Sequence, residues 1–263
     1  MRASSRNRKE NQYTSGMFLV SKKKVGKNSG FILMYKGAIL KTPAGNDFCY
    51  GNGQLLEAIA SEVVRKQRMD ETVLSLYSLF CTYVDYSGGA DFVSVEENTV
   101  RDVLYADSSY LKAVHYCTTK FPTSSEIGAA LFPISHWFSS NRVAFVKPLE
   151  VWQIVKMERD AIAEHDKDCV MAVQFVQRTI CMLGREEKTA LINLNSLTDM
   201  FVPALLLIIG VISPLAYAKM IVAAKVGDSM SYPFPELDRY GEEISSHRQS
   251  AQTIRRFLSL VKC

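Results

Sequence analysis

Several chemistries have no foothold in this sequence. None of its six cysteines (Cys49, Cys81, Cys117, Cys169, Cys181 and Cys263) forms a CxxC pair. In a chain of 263 residues, scattered cysteines of this kind read as reduced thiols, several of them within apolar runs. His115-x-Cys117 and His165-x-x-x-Cys169, with Asp166 and Asp168, bring soft and hard ligands close together. Neither pair has the four-ligand spacing of a zinc site, and a solvated turn or a core cysteine accounts for them. There is no G-x-x-x-x-G-K-S/T phosphate loop, and Gly51-Asn52-Gly53-Gln54-Leu55-Leu56 lacks the third glycine of a dinucleotide loop. The nucleophile signature G-x-S-x-G is also missing. The expectation is a protein that is not an enzyme, with no cofactor, metal or small-molecule substrate.

Acidic residues are scarce at the start. Residues 1–27 hold Arg2, Arg6, Arg8, Lys9, Lys22, Lys23, Lys24 and Lys27 against Glu10 alone, a local charge of +7 that leaves −3 for the rest of a chain totalling +4. A mildly acidic body gives no support to nucleic-acid binding. Residues 1–16 are basic and lack an apolar core, which excludes a secretory signal and leaves a mitochondrial leader or a disordered tail. With 22% charged and 48% hydrophobic residues, the chain has the composition of an ordinary globular protein able to bury a sizeable core.

One uncharged run, Met200 to Ala218, approaches spanning length over its 19 residues. Pro203, Gly210 and Pro214 interrupt it, and Ser213-Pro214 has the form of a helix N-cap followed by proline at the first helical position. A buried helical hairpin is the expectation; a membrane-embedded subunit is an alternative resting on this run alone.

The organising stretch is Phe31 to Arg68. Phe31–Tyr35 and Ala38–Leu40 are short apolar runs separated by Lys36-Gly37, which predicts a hairpin. Pro43 ends the second strand, and Ala44-Gly45-Asn46-Asp47 supplies turn chemistry. Leu55, Ile59 and Val63, beside Leu56, Ala60 and Val64, then place one apolar stripe on a helix over 54–67. Upstream, Met17–Ser21 reads as a strand followed by a lysine-rich turn. Downstream, helices are predicted over 71–86 and 93–107, whereas periodicity leaves 110–118 as strand or helix. A boundary falls at 119–125. Helices follow over 150–164, 170–182, 186–210 and 214–225, then a loop over 227–235 and a last helix from Glu236 to Val261.

The run "Gly-Phe-x-Leu … Lys-Gly-Ala-x-Leu-Lys-Thr-Pro-Ala-Gly-Asn" over Gly30–Asn46, with Leu55-Leu-Glu-Ala-Ile-Ala-Ser-Glu-Val63, resembles the mitochondrial assembly chaperones that bind the alpha subunit of the ATP synthase catalytic head. Ile209-Gly210-Val-Ile-Ser-Pro-Leu-Ala-Tyr-Ala218 is similar to that family's helix–Gly–helix junction. Glu236-Leu-Asp-Arg-Tyr240-Gly241-Glu-Glu-x-x-x-His247 is similar to its C-terminal element, with Glu236 in place of glutamine and Tyr240 in place of tryptophan. Asp85 fits the end of the family's second helix, and Ser75 replaces its usual proline. The match runs in pieces over about residues 17–262 and is weak from 110 to 190.

The expected architecture is an α+β N-terminal domain over 17–120 followed by an all-α orthogonal helical bundle over 121–263, behind a disordered or targeting segment at 1–16. The resemblance implies a monomeric chaperone of the mitochondrial matrix that holds the unassembled alpha subunit and releases it to the beta subunit. The alternative keeps the fold and changes the partner to another mitochondrial complex such as the ribosome, with the Lys22–Lys27 cluster against RNA phosphates. The candidate partner-binding residues are Glu236, Asp238, Tyr240, Glu242 and Glu243. On the last helix Ile244, His247, Ala251, Ile254, Leu258 and Val261 make the predicted buried stripe, and Glu243 lies one turn from His247, close enough to pair with it.

Overall fold

The computed structural model describes residues 14–15, 17–25, 28–65, 74–85, 97–118, 126–143, 167–226 and 240–262. An α+β N-terminal portion precedes a helical bundle. Its centre is an antiparallel hairpin, β2 (Phe18–Val25) with β3 (Asn28–Tyr35), in register from Phe18↔Tyr35 to Val25↔Asn28. β1 (Thr14–Ser15) adds to the outer edge of β2, and β4 (Ala38–Ile39) and β5 (Cys49–Tyr50) both pair with β3. Lys36 and Gly37 have φ of 48° and 82°. Two successive positive φ values make the turn whose twist matches that of the flanking strands. The lysine-rich segment expected as a turn is instead strand: Lys22, Lys23 and Lys24 pair with Phe31, Gly30 and Ser29. Lysine has weak strand preference, but ladder pairing at a solvated edge overrides it.

α1 (Gly53–Arg65) lays Leu55, Leu56 and Ile59, all fully buried, against the sheet residue Leu33. It begins where Asn52 Oδ1 accepts the Gln54 N–H at 2.9 Å. A Cβ at Gly53 would meet the Phe31 ring at 3.0 Å, so glycine allows the helix start to sit on β3. α2 (Leu76–Asp85) starts later than predicted because Ser75 caps it. The Ser75 hydroxyl accepts the Ser78 N–H at 3.0 Å, Ser78 Oγ accepts the Ser75 N–H at 3.1 Å, and Glu62 accepts the Leu76 N–H at 2.7 Å. The serine that departs from the family pattern is thus a working helix cap.

α3 (Glu97–Ala106) and α4 (Ser108–Thr118) follow, the second settling the undecided segment as helix. α5 (Glu126–Ser140) and α6 (Lys167–Cys181) come next, and the predicted helix over 150–164 lies outside the described residues. The single helix expected over 186–210 is two, α7 (Arg185–Thr198) and α8 (Phe201–Ile208). Asp199 breaks it with a φ of 53° while its N–H still bonds Asn195 O at 2.7 Å. Met200 is extended, and Pro203 falls in the first turn of α8, where a missing N–H costs nothing.

The uncharged run ends α8 at Gly210, φ 84°, with the Val211 N–H reaching back to Leu206 O at 2.9 Å. Ser213 Oγ then accepts the Ala216 N–H at 3.1 Å and α9 (Pro214–Val226) begins at its proline, as the sequence implies. All eight α8 residues are buried, as are Tyr217, Ala218 and Met220–Ala224 of α9. No helix among the described residues is long and apolar enough to cross a membrane. Burial in the bundle accounts for the missing charges along α8 and most of α9, while Val211 and Leu215 at the turn between them are exposed.

α10 (Gly241–Val261) closes the fold. Its buried face carries Ser250, Ala251, Ile254, Phe257 and Leu258. Its C-terminal carbonyls return to the α+β portion, Leu260 O accepting from Asn52 Nδ2 at 2.9 Å and Val261 O from the Tyr50 hydroxyl at 3.4 Å. Rings continue the link, Phe48 to Phe80, Tyr50 to Tyr83, and Tyr83 to Phe257. One continuous apolar core therefore runs from Leu33 of the sheet to Leu258 of α10.

Candidate functional site

Tyr240 stands immediately before α10 with φ −102° and ψ 29°, outside helical geometry. The described α-helix runs from Gly241, and the expected start at Glu236 lies outside the described residues, as does Asp238. Glu242 and Glu243 are exposed in the first turn, where the helix dipole favours negative charge. Tyr240 and Ile244 are half-buried and pack against the core. The result is a pair of solvated carboxylates on an aromatic-anchored helix start, a surface able to accept hydrogen bonds or pair with cations.

Glu243 does not turn toward the bundle as anticipated. Ile244, His247, Ala251 and Ile254 form the inward stripe, and Glu243 falls about 100° from Ile244 around the helix. Among the described residues, the charge that acts on His247 is Lys225 of α9. Burial first, then that cation, pushes the His247 imidazole down to about 4. A histidine held neutral in the fold but titrating near 6.5 when unfolded stabilises fully above the unfolded value. That stability is lost as pH falls from about 6.5 toward 4. Discounted for partial exposure, the expected loss between pH 7 and pH 5 is about 1 kcal/mol. His247→Gln should flatten that slope in urea melts at the two pH values; an unchanged slope would remove His247 as its source.

The Lys41–Asn46 loop, to which sequence reasoning assigned no chemistry, is held by Asp85 at the C-terminal end of α2. The Asp85 carboxylate accepts from the buried Thr42 hydroxyl and from Asn46 Nδ2 at 2.9 Å. Within the loop, the Thr42 N–H bonds Asn46 O at 2.8 Å and the Asn46 N–H bonds Thr42 Oγ1 at 3.2 Å. Burial pushes the Asp85 carboxyl up, but hydrogen bonds from Thr42, Asn46 and the Ala44 backbone outweigh it and hold it below its ordinary value. Asp85 sits where the helix dipole disfavours an anion, so these donors are what keep it there. Asp85→Ala should cost about 1–2 kcal/mol. It should also accelerate amide exchange at Ala44 and Asn46, while exchange unchanged from wild type would mean the loop holds its own shape.

A second carboxylate escaped the sequence reading. Asp107, 1% exposed, lies in the one-residue break between α3 and α4. Its Oδ1 accepts from the Ser109 and Tyr110 N–H groups at 2.9 and 3.1 Å and from the Ser109 hydroxyl, while Oδ2 accepts the Val202 N–H at 2.6 Å. One side chain thus caps the N-termini of α4 and α8 together. Burial pushes its carboxyl above the ordinary range against the pull of those donors. The local signal was present, since Asp followed by Ser-Ser-Tyr is an N-cap pattern; the second helix end was not visible in the chain order.

Among the described residues no group of three or more His, Cys, Asp or Glu side chains converges as a metal site would require. The side chains of His115 and Cys117 lie outside the described set. So do His165 and Asp166, together with the side chains of Asp168 and Cys169. An open depression on α6 is lined by Gln174, Gln177, Arg178, Cys181 and Met182.

No protein-family profile and no curated sequence matches the chain. Solved structures do. A single-site mutant of Paracoccus denitrificans Atp12p superposes with a TM-score of 0.58 at 14% identity, covering 95% of this chain and 97% of that one. Atp12 from the same organism gives 0.55 at 15% identity over 92% and 95%. Atu1473, a proposed chaperone from Agrobacterium tumefaciens, gives 0.50 at 15% identity over 90% and 83%. Over 92–95% of its length the chain has the fold of the Atp12 structures, a fold in keeping with the family that its motifs resemble.

Proposed function

We propose that this chain is a non-enzymatic assembly chaperone of the mitochondrial matrix that holds the unassembled alpha subunit of ATP synthase and yields it to the beta subunit. The observation that carries this reading is the coincidence of fold and motif. A chain sharing the Atp12 fold over 95% of its length keeps the Gly-acidic part of the family's C-terminal element, with Tyr240 in place of its tryptophan, at an exposed helix start. The Gly210–Pro214 junction of the family has its counterpart between α8 and α9, fixed by Arg255 Nη2 on Ile212 O at 3.2 Å. A chaperone displaced by the client's own partner needs differential affinity more than tight binding, and exposed carboxylates offer that, since their contacts form and break without rebuilding a core.

The test is reconstitution. Tagged full-length chain is mixed with separately purified alpha subunit, and beta subunit is then added. Capture of alpha followed by its release on adding beta supports the reading. Failure to capture alpha, with capture of a different mitochondrial assembly intermediate, would transfer the fold to another client.

A further inference from the structure

The sheet carries an edge that no other described element uses. β1 joins β2 only at Phe18 and Leu19, while β4 and β5 join β3 only between Phe31 and Tyr35. The outer edge of β2 from Val20 to Val25 therefore has no strand partner among the described residues. Beyond Lys22↔Phe31 the sheet narrows to two strands, paired Lys23↔Gly30, Lys24↔Ser29 and Val25↔Asn28. A two-stranded ribbon is marginal by itself, and the unused N–H and C=O groups of an edge template another strand. This edge is also strongly basic. Lys22, which is exposed, is followed by Lys23 and Lys24, and no Asp or Glu occurs between Asn11 and Asn46 to neutralise them.

We propose that the Val20–Val25 edge of β2 receives an acidic, extended polypeptide segment as an added strand. The chemistry selects the occupant. Backbone donors and acceptors spaced along a strand are satisfied in register by another polypeptide strand and not by a nucleic acid. Residues 20–30 contain no aromatic side chain on which an unpaired base could stack. Three consecutive lysines favour Glu or Asp on the incoming strand. Lysines on an edge also serve simply to repel other strands, and an edge serving that purpose alone binds no acidic strand. The contact is separate from the α10 surface, and its test uses no alpha subunit, so the two readings fail independently.

The experiment is fluorescence anisotropy of the full-length chain with a labelled decapeptide of alternating Glu and Val. Its comparators are the Gln-Val version, a version N-methylated at alternate backbone nitrogens, and a twelve-residue uridine RNA. Saturable binding of the acidic peptide is expected, weakened at least about tenfold by Glu-to-Gln replacement and by N-methylation. The combined Lys22→Gln, Lys23→Gln, Lys24→Gln variant, with an unchanged melt, should weaken it by at least as much. If that variant melts differently, the N-methylated comparison on the native chain decides alone. Absence of binding, equal binding of the N-methylated peptide, or tighter binding of the RNA overturns the proposal.

Discussion

Replacing Asp107 with asparagine should destabilise the protein by about 2–3 kcal/mol, and replacing it with alanine by about 3–5 kcal/mol. The carboxylate receives four donors, three of them backbone N–H groups at the open ends of α4 and α8. Alanine removes this acceptor from all four. Asparagine keeps the shape but must turn an NH2 toward either the Val202 N–H or the Ser109–Tyr110 pair, setting donor against donor. Solubility and fold should survive at low temperature, with the urea midpoint falling and the slope unchanged. Asparagine within about 0.5 kcal/mol of wild type would mean that the side chain is protonated and already donates, contrary to an arrangement in which it accepts from four donors.

Charge reversal at Glu242 and Glu243 should do the opposite, sparing the fold and removing the client. Both side chains are exposed, so their share of stability is the dipole interaction at the α10 start, about 0.3–1 kcal/mol each. If this surface docks the alpha subunit through cationic or hydrogen-bond-donating groups, Glu242→Lys with Glu243→Lys should weaken capture about ten- to a hundredfold. Tyr240→Ala should lose both properties, because that ring packs on the core as well as flanking the acids. Pull-down of alpha subunit beside a thermal melt reads the two quantities separately. Capture equal to wild type in the doubly reversed variant would reduce the acidic turn to a dipole-matched helix start.

The hairpin, the Pro43 stop, the α1 stripe and the Ser213-Pro214 helix start were legible in the chain because each depends on residues within a few positions of one another. Turn chemistry, capping and helical periodicity are local, and local physics is written in local sequence. The same reasoning placed Ala251, Ile254 and Leu258 on the buried face of α10, where they lie. The uncharged run from Met200 announced burial, which holds along α8 but not at the turn into α9, where Val211 and Leu215 are exposed. It did not announce what buries it, since a hydrocarbon bilayer and a helical bundle demand the same composition.

What tertiary structure decided were partnerships across the chain. Asp85 is an unfavourable anion at a helix C-terminus until Thr42 and Asn46 arrive from about forty positions away. Asp107 looked like the end of one helix and proved to start two, because α8 returns its open N–H groups to it. Lys22–Lys24 read as a turn from composition, and pairing with β3 made them strand. His247 was given a carboxylate partner by spacing, but among the described residues it is the Lys225 cation that acts on it, because burial fixed which face of α10 turned inward. Sequence by itself determined many of the local elements and the family they resemble, though not α5, the break between α7 and α8 or the Lys22–Lys24 strand. Only packing decided which charges face one another, since long-range contacts are chosen by the summed burial of the whole core rather than by any neighbouring residue.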